Sequence, residues 1–220
     1  MSEPIKKPNQ SPKSYSPVKP EILGMAEMPD DNIVNGEVVP YLFKKQIIHL
    51  SKSKLVGKKV TYPISKQGIG GNDANPPLNL LWQECRKDGT FDWIEKQKEH
   101  ICLEAHLGLY YDINQKEDRF SYLVGTLMNT DVPVPEGFAS HEIIECDVAV
   151  CWFKYKTDVD IWAAIDPNKI TASYMDEQKY AGVPETGWCS ELYPLDDEKE
   201  AELGYNILGY LIACRKMDEV

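Results

Sequence analysis

The chain has 220 residues, of which 42% are hydrophobic, 10% aromatic and 27% charged; a peptide-sized scaffold, a coiled-coil rod and wholesale disorder are all excluded. Its 24 Lys and Arg against 35 Asp and Glu give a formal charge of −11, which repels a phosphate backbone and argues against direct nucleic-acid binding. No run approaches the roughly 18 apolar residues of a membrane helix, and the N-terminus lacks a secretory apolar core, so a cytoplasmic protein with no membrane partner is expected.

Residues 1–40 hold seven of the fifteen prolines, with Lys6, Lys7, Lys13 and Lys19 among apolar residues that show no period. Such a segment buries too little surface to offset ordering and reads as a flexible proline-rich tail. From Tyr41 onward apolar runs take over. YLFKKQIIHL and KLVGKKVTYPI have strand character, as two short strands or one bent strand, and KQGIGGNDANPP reads as a loop. Its Gly68, Gly70 and Gly71 invite a phosphate-loop reading, but the Lys and hydroxyl that should follow are missing.

Pro76 and Pro77 suit a first helical turn, and Leu78, Leu81, Trp82 and Cys85 then recur at helical spacing, up to a break at Asp88-Gly89. FDWIEKQKEH reads as a second short helix, ICLEAHLGLYYDI as a strand, and RFSYLVGTLM as another after a turn at Asn114 to Asp118. The second half repeats this order. HEIIECDVAVCWFKYK reads as one strand, DVDIWAAIDPNKITASYMDEQKYAG as a helical region interrupted at Pro167, and WCSELYPL and YNILGYLIACRK as closing strands. The expected fold is therefore α+β: two β-α-β-β repeats, about 41–128 and 139–217, related by a pseudo-twofold axis. Their antiparallel sheets join, the helices lie on one face, and a central cleft opens between them.

Chemistry-bearing patterns are sparse. Six cysteines without a C-x-x-C pair and four histidines without H-x-x-x-H spacing predict no metal site, no disulfide framework and no cofactor. Asp158-x-Asp160 reads as helix capping. The lysines at 44, 45, 52, 54, 58 and 59 read as a solvated strand face.

Three strings carry a resemblance. Tyr122-Leu123-Val124-Gly125, then Val134-Pro135-Glu136-Gly137-Phe138, then Ala149-Val150-Cys151-Trp152-Phe153 follow one another, with Glu191-Leu192-Tyr193 later. In this order they resemble the GyrI-like small-molecule-binding family, the AraC-type effector-binding domain, over roughly residues 41–217. The resemblance implies a binding cleft in which Glu191 sits among aromatic rings, with Tyr193, Tyr122, Trp152, Trp188 and Tyr110 as ligand-binding residues and a hydrophobic, aromatic or cationic small molecule as partner. A carboxylate held in an apolar aromatic site suits an organic cation, which relieves its desolvation while ring faces attract the same charge. Tyr111, Trp82 and Trp162 read equally well as packing. Many relatives carry a DNA-binding module ahead of this domain; the forty preceding residues leave no room for one, so a stand-alone binding module is expected. Two alternatives remain open: a hydrolase of strained, cyclopropane-bearing natural products using Glu191 and Tyr193 as its catalytic pair, and an interaction module that shields a protein target, its partner unnamed.

Overall fold

The computed structural model describes residues 30–66, 77–156, 159–183, 187–195 and 204–217. Residues 1–29 of the expected tail, the glycine loop at 67–76, Asp158 and the acidic stretch at 196–203 lie outside them.

The described chain opens with a ribbon of β1 (Ile33–Val34) and β2 (Glu37–Val38). Asn35 and Gly36 take φ of 52° and 82°, the left-handed pair that a two-residue hairpin turn requires and that Asn-Gly supplies with little strain. The boundary at residue 40 is thereby corrected: Val34 is buried against Leu42, Phe153 and Ile161. Next come β3 (Leu42–Leu50), β4 (Ser53–Tyr62), α1 (Pro77–Lys87), α2 (Thr90–Glu95), β5 (Ala105–Asn114) and β6 (Arg119–Met128). The second half holds β7 (Ala139–Ile143), β8 (Cys146–Tyr155), α3 (Ile161–Ala164), α4 (Pro167–Glu177), β9 (Tyr180–Gly182), β10 (Cys189–Pro194) and β11 (Asn206–Lys216).

Two local expectations are corrected. HEIIECDVAVCWFKYK splits at residues 144–145 into β7 and β8, which occupy different places in the sheet. Tyr180–Gly182 is a strand rather than helix, because Lys179 turns the chain with φ 61° and β9 then pairs with the end of β11. Pro167 is where a new helix begins: Asp166 caps it, accepting from the Lys169 N–H at 3.0 Å, and Asp160 caps α3 through the N–H groups of Trp162 and Ala163.

The main sheet has the order β3-β8-β11-β10-β5-β6-β4-β7, with β9 against β11, and its pairings are antiparallel. Read from either end the order is equivalent, β3 with β7, β8 with β4, β11 with β6 and β10 with β5, which is the pseudo-twofold expected from the repeated element order. Each edge strand belongs to the other half. β3 runs into β4 through residues 51–52 yet pairs with β8, and β7 runs into β8 through residues 144–145 yet pairs with β4. Residues 50 and 53 lie at most about 11 Å apart, so strands from opposite ends of the order meet and the sheet curls.

Its inner face carries Leu55, Leu107, Leu123, Trp152, Trp188, Leu192 and Leu211. On the outer face α1 packs over β4 and β6, and α4 over β8 and β11. The central strands β5 and β10 lie between the parts of the sheet that the two helices cover.

His49 on β3 clamps the curl, its Nδ1 3.0 Å from Asp147 on β8 and its Nε2 3.2 Å from Glu145 in the β7–β8 turn. The Asp147 hydrogen bond, opposed by partial desolvation and aided by Glu145, raises the His49 pKa above 6.5. A raised folded-state midpoint means that the clamp is fully present below the unfolded midpoint and is lost as pH rises through the folded one. The ring is more than half exposed, so the clamp is worth under about 1 kcal/mol. Proton NMR titration is expected to place His49 above 6.5; a midpoint at or below that value contradicts the clamp.

Candidate functional site

Glu191 lies on β10, at the centre of the sheet. Its strand pairs with β11 on one side and β5 on the other, so Glu191 lies opposite Tyr210 and Gly108, and strand alternation places Cys189 and Tyr193 on the same face. The side chain is buried, with the residue 8% exposed. Tyr110 donates its hydroxyl to Oε1 at 2.6 Å, Tyr193 to Oε2 at 3.0 Å, and Tyr122, reaching from β6, approaches Oε2 at 3.4 Å. From α1 the Trp82 indole N–H donates to the Tyr122 hydroxyl at 2.7 Å, which directs that hydroxyl's own proton toward the carboxylate. The Trp82 ring stands edge-on to Tyr193 at 5.1 Å and 80°, and Tyr110 is tilted against Tyr122 at 4.6 Å.

Burial pushes the Glu191 carboxyl above its ordinary range, and the three phenol hydrogen bonds oppose that shift without cancelling it. The phenols move with it. Burial first, then the negative charge of Glu191, holds Tyr110, Tyr122 and Tyr193 well above 10, so all three remain donors at neutral pH. Among the described residues no cationic side chain pairs with Glu191. His106, on the same face of β5 and opposite Tyr193, does not fill that role. It stacks on Phe91 at 3.8 Å and bonds Thr126 at 3.0 Å, and burial followed by the nearby Arg86 charge lowers it to about 4, leaving the ring neutral at pH 7.

The α4 side forms a different wall. Tyr210 donates to the Cys189 sulfur at 3.2 Å and accepts from the Asn168 amide at 3.0 Å rather than bonding Glu191. Trp162 on α3 is 42% exposed and stands edge-on to Tyr210 at 6.2 Å.

The structure therefore brings Glu191, Tyr193, Tyr122 and Tyr110 together. It does not bring Trp152 or Trp188 to them, and for these two the expected placement is corrected. Trp188 stands an odd number of residues from Glu191, and Trp152 lies opposite Gly209, next to rather than in line with Tyr210. Both belong to the inner face, where their Nε1 atoms are buried with no hydrogen-bond partner among the described residues. Trp82, a ring candidate that reads equally well as packing, belongs to the cluster, and no sequence signal singles out Gly108, His106 or Tyr210 for it.

Most of the lysine run is spent within the chain. Lys45 pairs with Asp31, Lys58 with Asp88 and Lys52 with Glu142, while Lys54 donates to the carbonyls of Thr130 and Val132. Among the described residues no group of three or more His, Cys, Asp or Glu is placed to hold a metal ion, and no helix is long and apolar enough to cross a membrane.

No protein-family model matches the chain, and no curated protein matches it in sequence. Solved structures do match in shape. SAV2435 bound to tetraphenylphosphonium superposes with a TM-score of 0.56 at 17% identity, covering 80% of this chain and 96% of that one. A candidate bacterial transcription regulation protein from Staphylococcus aureus MU50 gives 0.51 at 18% identity, covering 78% and 98%. This is the GyrI-like effector-binding fold. In the GyrI-like frame, the palindromic strand order puts β10 and β5 astride the pseudo-twofold axis, and Glu191 stands beside that axis on the helix-bearing face.

Proposed function

We propose that this protein binds lipophilic aromatic cations in the groove between α1 and α4, with Glu191 as the anionic contact. The observation that carries this reading is a buried carboxylate whose hydrogen-bond partners are phenols. A lone buried charge is costly and calls for a partner. Phenol hydrogen bonds favour the ionised carboxylate without neutralising it, and the ring faces add attraction of about 0.5–2 kcal/mol each for a cation. The ligand-bound neighbour supports the same class, since tetraphenylphosphonium is a ring-clad cation without hydrogen-bond donors.

Charge preference tests the proposal. Trp82 touches Tyr193, so tryptophan fluorescence can follow a titration of the purified protein with tetraphenylphosphonium and with triphenylphosphine oxide, a neutral molecule with similar rings. The cation is expected to bind at least about tenfold more tightly. Equal affinities sink the cation reading.

A further inference from the structure

Tyr122 stands on β6 and Glu191 on β10, with β5 running between them. Two strand spacings separate the backbones by roughly 10 Å, so the phenol must lie sideways across β5 to reach the carboxylate. It crosses at Gly108. A Cβ at that position would lie 2.1 Å from the Tyr122 hydroxyl oxygen and 2.7 Å from Cζ, distances at which one group has to leave. The hydroxyl has little freedom to leave, because Trp82 holds it at 2.7 Å from the helix above and the Tyr122 ring is fully buried. Gly108 takes no left-handed backbone angle, so conformational freedom does not account for a glycine here; the space it leaves does.

We propose that Gly108 is a positioning residue of the binding site: its missing side chain is the gap through which Tyr122 spans β5 to Glu191, and Trp82 pins the hydroxyl in that gap. The inference rests on the cation-binding reading only for its consequence in affinity; the geometry stands without it. The polar and titratable groups facing Glu191 are Tyr110 from β5, Tyr122 from β6, Tyr193 and Cys189 from β10, and Tyr210 from β11, with His106 beside Tyr193, Trp82 and Arg86 on α1 and Asn168 on α4. Of these, the methyl added by Gly108→Ala would displace Tyr122 alone.

The test reads Glu191 directly, by 13C NMR titration of the glutamate δ-carboxyls in the full chain, comparing wild type with Gly108→Ala, Tyr122→Phe and Trp82→Phe. Loss of a donor to the carboxylate disfavours its ionised form, so the Glu191 midpoint is expected to move upward in all three variants. It is also expected to move no further in Gly108→Ala/Tyr122→Phe than in Tyr122→Phe. On the same samples the affinity for tetraphenylphosphonium at neutral pH should fall about tenfold in Gly108→Ala. A Gly108→Ala midpoint equal to wild type while Tyr122→Phe moves overturns the proposal, as does a shift that adds in full to that of Tyr122→Phe. Should Gly108→Ala not fold, Trp82→Phe, which keeps a ring in α1, decides: an unmoved midpoint overturns the pinning role. A wild-type protein that fails to bind tetraphenylphosphonium sinks the cation reading, and the carboxyl titration still judges Gly108.

Discussion

Glu191→Gln is expected to lower tetraphenylphosphonium affinity about 30-fold or more while raising the melting temperature of the ligand-free protein. The first effect follows from removing one member of a buried charge contact, which costs about 2–5 kcal/mol at 1.4 kcal/mol per tenfold. The second comes from the same carboxyl. Burial raises its folded-state pKa above the unfolded value, so the folded state holds the proton more tightly. The contribution of Glu191 is then most favourable below the unfolded midpoint, and stability falls as pH rises through the folded one. Wherever that carboxyl is ionised the empty protein carries an unneutralised buried charge, which Gln removes while keeping the shape and the acceptor oxygen. For a chain of this length each kcal/mol gained shifts the melting temperature by about 2–4 °C. Calorimetry with and without ligand at pH 7 and pH 4 measures both effects, and the gain should fade toward pH 4. A variant that melts lower and binds as well as wild type removes Glu191 from the site.

Gly125→Ala is expected to be strongly destabilising, costing about 3 kcal/mol or more. Gly57 and Gly125 face one another across β4 and β6 on the inner face of the curled sheet. A Cβ at Gly57 would lie 1.9 Å from the Val124 carbonyl oxygen, and one at Gly125 would lie 2.1 Å from that of Val56. Both obstacles are backbone, which cannot swing aside as a side chain can. Urea denaturation of Gly125→Ala beside Gly89→Ala, whose added methyl meets nothing within 4 Å but strains a φ of 82°, separates steric from conformational loss. Equal destabilisation of the two denies that the inner face of the bend is closed to a methyl group.

Much of this was legible in the chain itself, and the parts that were not share a cause. Helix α1, both central strands and the repeated order of elements follow from local periodicity, which needs no partner strand to read. The pairing of Glu191 with Tyr193 follows from alternation along a single strand, and the same alternation, applied strictly, sets Trp188 on the opposite face. Trp152 is different: its face depends on its register with Gly209, which no local pattern records. Tyr122 and Tyr110 could be proposed from motif order, but Gly108 matters only because a ring from the next strand lies over it, a fact of three strands at once. The exchange of the edge strands was hidden for the same reason. Two residues between β3 and β4 look like a hairpin turn, and only the long-range pairing shows that they are a corner. The Asn-Gly turn of the first ribbon, by contrast, was a local signal in plain view inside a proline-rich stretch.

That exchange has a consequence for how the molecule assembles. Because β3 finds its place only against β8, a hundred residues downstream, and β7 only against β4 upstream, neither repeat can finish its own sheet, and ring closure over such separations is slow. The nascent N-terminal repeat must wait on the ribosome with two raw edges until its sister emerges. Split into two polypeptides between β6 and β7, the repeats would be mutually dependent fragments, each acquiring structure only in the presence of the other.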